Sequence, residues 1–240
     1  MNLQESSQTA LIKTIDETNE FHWNIRGIPP KGIDPYQEGL MLLEKSRSIN
    51  YLFGQAQSLL NLSMGSFILK NDSDLAMSQI TEAIQLFKDM KNDRWIANSH
   101  VTISIIFNST GKSEAALSNA LRGIGYFEKN TDDTNDKSMA YYVLGTVYKD
   151  LKKYNEAEKS FKAGISENPV NASLWSGRIY SGLSNIYSYQ EKYDDAISMG
   201  FKALDILKNE SNSIGESRAL NDIGAIYKKQ KNTPKHWIIS

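Results

Sequence analysis

Apolar residues recur every three to four positions through most of this chain, the spacing that turns one face of an α-helix toward a core. Interruptions divide the pattern into eleven segments. The periodicity predicts helices over 4–23, 34–47, 49–69, 74–90, 94–109, 113–129, 136–151, 155–167, 173–190, 194–209 and 213–230. Short polar turns separate alternate segments: Asn71-Asp72-Ser73, Thr110-Gly111-Lys112, Lys152-Lys153 and Glu191-Lys192. Residues suited to N-caps stand at Asp34 before Pro35, at Ser113 and at Asp194. Gly27, Pro29, Pro30 and Gly32 make an irregular loop after the first segment, and 130–135 reads as a polar linker. The predicted class is all-α.

Three marker series run in phase through these segments. An aromatic near the end of alternate helices appears as Phe67, Phe107, Tyr148, Tyr187 and Tyr227, with steps of 40, 41, 39 and 40. A small residue early in the intervening helices appears as Gly39, Ala76, Ala116, Ala157 and Ala196. A second small position follows seven residues later at Ser46, Ala83, Gly123, Gly164 and Ala203. Chance periodicity would not hold three series in register, so the unit is a repeated helix pair. The small residues let two helices approach, and the aromatics fill the space they leave.

The segment carrying Tyr141, Leu144, Gly145, Tyr148, Ala157, Phe161 and Pro169 resembles the tetratricopeptide repeat, with Tyr in place of its first Trp. The resemblance covers about residues 34 to 232 and implies an α-α superhelix, a solenoid of antiparallel helix pairs. The period exceeds the family's usual ~34 residues. The stretch from Ala219 to Tyr227 is similar to repeats preceding bacterial histidine kinases and nucleotide cyclases, and to those of peptide-responsive regulators. The expected organisation is a degenerate helix pair over 1–48 as a cap. Repeats follow over 49–91, 92–131, 132–170 and 171–210, with a partial one over 211–232 and a tail over 233–240. A sixth small residue is due near 236, where His236 stands. Either Trp237, Ile238 and Ile239 fold back as a makeshift cap, or the chain is cut from a longer protein. The mid-repeat ending favours the second.

Composition narrows the function. Twenty-seven Lys and Arg balance 28 Asp and Glu in 240 residues, a net charge of −1. That removes the basic surplus of a dedicated nucleic-acid binder. With no Cys there is no disulfide framework, thiolate metal site or cysteine nucleophile. The longest charge-free stretch, 48–69, carries Asn50, Gln55, Gln57, Ser58, Asn61 and Ser63. A bilayer would leave those groups unsatisfied, so it reads as a buried helix. With no signal-peptide pattern at the start, the expected compartment is the cytoplasm. Gly111-Lys112 lacks the rest of a phosphate-binding loop, and Gly123 and Gly125 lack a third glycine. His22, His100 and His236 are far apart, and His100 falls on a buried face. Asp132, Asp133 and Asp136 fail the calcium-loop pattern because Lys137 takes a ligand position. Lys228, Lys229, Lys231 and Lys235 read as a solvated basic face. The expectation is therefore a protein that is not an enzyme, with no cofactor and no metal.

The resemblance also implies where a partner binds. In the family, the second, fifth, ninth and twelfth residues of each first helix point into a concave groove. Here these include Ser58, Asn61, Asn98 and Val101 toward the N-terminus. Toward the C-terminus they include Tyr142, Thr146, Lys149, Arg178, Ser181, Asn185, Arg218, Asn221 and Lys228. The latter set is polar and basic, with no carboxylate. Arg forks grip carboxylates and side-chain amides can hold a peptide backbone. The expected function is a peptide- or protein-binding scaffold for an extended acidic segment, with self-association possible through the C-terminal end. The alternative is the truncated sensory region of a bacterial signalling kinase, cyclase or regulator.

Overall fold

The computed structural model describes residues 3–24, 34–130, 134–166, 174–209 and 213–232. The irregular loop with Gly27 to Gly32, most of the linker's acidic run, Pro169 and the Trp237–Ile239 tail lie outside the described residues. Among the described residues there are eleven α-helices and no strand. They are α1 (Leu3–Asn24), α2 (Pro35–Ser48), α3 (Leu52–Lys70), α4 (Ser73–Asp89), α5 (Asp93–Ser109), α6 (Ser113–Phe127), α7 (Thr134–Asp150), α8 (Tyr154–Ser166), α9 (Leu174–Tyr189), α10 (Tyr193–Asn209) and α11 (Ser213–Asn232). No described helix is long and apolar enough to cross a membrane.

The helices form two compact units, Met1–Lys112 and Ser113–Ser240. In the first, α1 packs on α2 and α3, and each later helix packs on the one before it. In the second, successive helices from α6 to α11 pack in order, while α9 also touches α7 and α11. The first helices α7, α9 and α11 thus form one row, and the second helices α8 and α10 another.

The turn within each pair is set by one residue. Asn71, Gly111, Lys152 and Glu191 all take left-handed φ values, between 53° and 76°. Only Gly111 has no Cβ to oppose that conformation. The next amide closes the turn in the last three, from Lys112 to the Phe107 carbonyl, Lys153 to Tyr148 and Lys192 to Tyr187, at 2.8 to 2.9 Å. This satisfies carbonyls that the helix end would leave unpaired. The Lys192 carbonyl then accepts the first bond of α10 from the Ala196 amide at 2.9 Å. Lys192 therefore sits at the cap, and Asp194 lies in the first turn. Ser113 likewise begins α6. Asp34 does cap α2, accepting from the Tyr36 and Gln37 amides at 3.0 and 3.1 Å. Helix α3 starts at Leu52, not 49, because Asn50 turns left-handed with φ 53°.

The marker residues sit where the pair closes. Ala157 is wholly buried with Phe161, Ile179, Leu183 and Ile186, and Tyr148 and Tyr187 pack against them. A Cβ placed on Gly145 would lie 2.6 Å from the Phe161 ring, and one on Gly182 would lie equally close to it. Phe161 thus wedges α8 between α7 and α9. The next pair reverses the volumes. Gly200 takes the corresponding place in α10, where a Cβ would meet Ile223 at 2.7 Å. Glu158 adds a polar clamp: Lys162 donates to it at 2.7 Å, and Tyr187 of α9 and Gln190 just after that helix donate at 3.2 and 3.4 Å.

Two outcomes follow from this packing. Ala157→Leu forces side chain into a filled helix crossing, which costs about 1–3 kcal/mol. Chemical denaturation should show that loss, and hydrogen exchange should rise most in α7, α8 and α9, since repeat stability is nearly local. The second concerns acid. Burial raises the Glu158 carboxyl, but the Lys162, Gln190 and Tyr187 bonds outweigh it and hold the group below its ordinary 4.5. A depressed carboxylate contributes stability above its ordinary value and loses it as pH falls through the folded value. Glu158→Gln should therefore cost about 1 kcal/mol at neutral pH. Between pH 5 and pH 2 (approximate limits), its stability should fall less steeply than that of the wild type in denaturation midpoints.

Candidate functional site

Helices α7, α9 and α11 carry all nine of the C-terminal candidates, and their row brings some of them together. Tyr142 of α7 is half-buried, its ring 6.2 Å from Phe161 and 5.7 Å from Trp175 of α9. One turn along α9, the Arg178 guanidinium lies 4.9 Å from the Trp175 ring. The ring quadrupole attracts a cation placed over its face. Arg218, one repeat later on α11, is exposed and close enough for its charge to act on Arg178. Burial pushes the Arg178 guanidinium below its ordinary value; Tyr142 acts in the opposite direction, and Arg218 pushes it down further. The result is an aromatic floor under Arg178, whose charge is opposed by that of Arg218.

The remaining candidates depart from the expected arrangement. Lys149 pairs with Asp150 at 3.1 Å, so its charge is partly answered. Asn185 donates to Asp222 at 3.5 Å. A carboxylate therefore does stand beside the groove positions, although the chosen positions themselves hold none. Thr146 bonds its own helix at the Tyr142 carbonyl, 2.9 Å away. Ser181 is half-buried, and Asn221 and Lys228 are exposed. It is Lys229 that turns back to α9, 3.4 Å from the Ser188 hydroxyl and 5.3 Å from the Tyr189 ring. Residue counting along a helix misplaced this cation by one position. Trp175 was also missed, although a tryptophan three residues before an arginine on one helix places both on one face.

In the first unit the expected groove residues are not available. Ser58, Asn98 and Val101 are fully buried. Helix α1 lies beside α3 in the manner of a first helix, and its Asn19 supplies the reason. The Asn19 amide donates to Ser58 at 3.1 Å and to the Gly54 carbonyl at 3.4 Å, while Asn61 donates to the Asn19 carbonyl at 3.0 Å. Tyr51 donates to Asp16 at 2.7 Å, and Trp23 of α1 meets Trp95 of α5 with ring centres 4.7 Å apart. The region 1–48 is thus more than an end cap for α2; its helix occupies the first-helix face. His22 is buried, 2.8 Å from Glu38, and His100 is half-buried. Among the described residues, no three His, Cys, Asp or Glu converge as a metal site.

Residues 140–171 match the family model described as the tetratricopeptide repeat. That stretch, most of α7 and all of α8, is similar to one tetratricopeptide repeat. The chain is 28% identical over 136 residues to tetratricopeptide repeat protein 21B of Homo sapiens, a match spanning 55% of this chain and 10% of that protein. The chain therefore spans about a tenth of that relative's length. Among solved structures it is similar to BtubC (BKLC) from P. vanneervenii, with a TM-score of 0.67 and 17% identity, over 80% of this chain and 82% of that one. It is also similar to a putative kinesin light chain of Podospora anserina with nearly identical TPR-like repeats. There the TM-score is 0.51 and the identity 11%, over 93% and 98% of the two chains. Identities this low describe a shared fold. The helical solenoid inferred from the marker series is the fold of these proteins.

The guanidinium pair has a measurable signature. Arg218→Glu replaces a repulsion by an attraction near Arg178, without touching the core. The variant should gain up to about 0.5 kcal/mol in urea denaturation at low salt, and the gain should shrink at high salt.

Proposed function

We propose that this protein is a non-enzymatic scaffold that holds an extended, acidic segment of a protein partner along the first-helix face of α7, α9 and α11. The observation that carries the reading is the Arg178 guanidinium over the Trp175 ring, with Tyr142 beside that ring and the Arg218 charge acting on Arg178. Two like charges acting on one another favour the approach of an anion. A carboxylate of the partner supplies it, and Arg grips carboxylates through paired N–H bonds. Tyr142, Ser181 and Asn221 offer hydroxyl and amide groups to an extended backbone. Asp222 has a second role in this reading. By accepting from Asn185 it holds that amide until a partner's backbone carbonyl competes for it.

The general warrant is the fold, a tetratricopeptide-repeat scaffold, whose repeats present broad side-chain faces without needing a catalytic constellation. Potential focused on a groove speeds capture of an oppositely charged partner and makes capture salt-sensitive. The test is affinity capture from native host extract with wild type and the double variant Arg178→Ala with Arg218→Ala, at low and moderate salt. The captured proteins are then identified and their acidic segments titrated as peptides. The double variant should lose the specific partner by about tenfold or more in affinity, and salt should weaken the wild type toward it. Stability should shift by no more than about 1 kcal/mol, because the lost ring contact is offset by the lost repulsion. Equal recovery by both proteins would remove the groove as the binding surface.

A further inference from the structure

Helix α1 is seated largely by polar contacts. Among its described side chains, Ile15, Asn19, His22 and Trp23 are buried, whereas Glu5 to Ala10 are all exposed. Helix α4 instead buries Ala76, Ile80, Ala83 and Phe87, all apolar. Ile15 enters at Gly54 of α3, where a Cβ would come within 2.9 Å of its side chain. The Asn19 amide donates to Ser58 and to the Gly54 carbonyl, and the Asn19 carbonyl accepts from Asn61. Trp23 meets Trp95 of α5, so α1 touches the first helices of two successive pairs. Counted from the small marker residue that follows, Ser58 and Asn61 are the counterparts of Arg178 and Ser181, and Trp95 is the counterpart of Trp175. Helix α1 therefore stands, in the first unit, on the positions that form the candidate site of the second. Its fit is incomplete at one point. His22 Nε2 lies 2.8 Å from Glu38, but Nδ1 is buried with no partner, and an unmet buried polar atom counts against the seated state.

We infer that this face of α3 and α5 is a binding surface in its own right, with α1 as its tethered occupant, and that α1 gives way to a partner helix presenting the same groups. The occupant is specified by α1 itself: an aliphatic residue, a carboxamide four residues later and an indole four residues after that, as in Ile15, Asn19 and Trp23. A carboxamide both donates and accepts, so it answers the Ser58 hydroxyl and the Gly54 carbonyl together. Such bonds exchange for equivalent bonds to a partner at little net cost. A terminal helix with few buried apolar side chains also opens locally before the core does. The tether holds α1 at high effective concentration over its seat. A free partner meets only the fraction of molecules whose face is bare, and its apparent affinity is reduced by that fraction. The tether thus sets a threshold that only a helix fitting better than α1 crosses. This inference rests on the contacts of α1 and is independent of what the second unit binds.

The probe is a fluorescent peptide of residues 3–24, titrated against the full-length wild type and against Trp23→Ala, which loosens the tethered α1 and leaves the face beneath it intact. The Trp23→Ala protein should bind the peptide saturably and about tenfold tighter than the wild type, or better. Adding Asn61→Ala to that protein, or Asn19→Leu to the peptide, should weaken binding by about tenfold or more. Circular dichroism of Trp23→Ala should lose no more helix than α1 contains. In the wild type, amide hydrogen exchange should be faster in 11–24 than in α3. Absence of binding to Trp23→Ala, or equal affinity for the two proteins, overturns the inference. The peptide carries Glu5, Asp16, Glu17 and Glu20 against Lys13, so binding lost in Arg218→Ala and kept in Asn61→Ala overturns it in favour of the second unit's groove. Loss of helix beyond α1 in Trp23→Ala, or one common exchange rate for α1 and α3, overturns it too, because α1 would then be part of the core. A wild-type dimer that Trp23→Ala dissolves overturns it in favour of α1 from a second copy.

Discussion

Phe161 between two glycines is the constraint on which the C-terminal architecture rests. A single helix pair cannot bury its apolar faces, so each second helix must serve the first helix before it and the one after it. That double contact needs volume on one side and its absence on the others. Gly145 and Gly182 vacate the space that Phe161 occupies, and no rotamer of a larger residue at either position would leave the ring in place. One repeat later, Gly200 vacates space for Ile223. The large side chain has moved from the second helix to the following first helix, yet the spacing of helices is kept. Complementary volume, not identity at any one position, is what the repeat preserves.

That point explains how much of the fold could be read from residues. The small and aromatic positions were legible because each has one physical job at a fixed place, and their steps of about forty residues exposed eleven helices and their pairing. Other regularities were hidden. The left-handed turn recurs at Asn71, Gly111, Lys152 and Glu191 with the same period as the markers. Four different residues occupy it, and two of them are long charged side chains that bear no turn signal. Their conformation is imposed by helix packing on either side, which overrides local preference. Asp34 caps α2 as expected, but with the turn fixed by Glu191 the next helix starts on the Lys192 carbonyl, and Asp194 is displaced into the first turn.

Counting along first helices located side chains but not the groups that answer them. Counting along first helices did place Arg178 and Arg218 together, because equivalent positions in adjacent repeats are neighbours by construction. It could not see Asp150 beside Lys149, or Asp222 beside Asn185, since those carboxylates belong to positions that the count assigned elsewhere. In the first unit, counting was defeated by α1. Asn19 has no marker value in sequence, yet its side chain and carbonyl bind Ser58, Gly54 and Asn61, and the helix takes the face that a ligand would need. Periodicity placed α1 in a degenerate pair because it carries no marker residue, and the contacts that Asn19 makes are particular to it.

The two outward faces of α11 show how one helix can be divided between chemistries. On the side of α9 it offers Asp222 and Lys229, each already engaged with a polar group of α9. Such contacts exchange readily with a polar ligand, since hydrogen bonds to the protein are replaced by hydrogen bonds to the partner. The opposite strip offers Leu220, Gly224 and Tyr227, which gain little from water and much from a close-packed apolar neighbour. A contact of the first kind weakens with salt, while one of the second kind depends on the volume that fits over a glycine. Both sets of side chains lie on the same twenty residues.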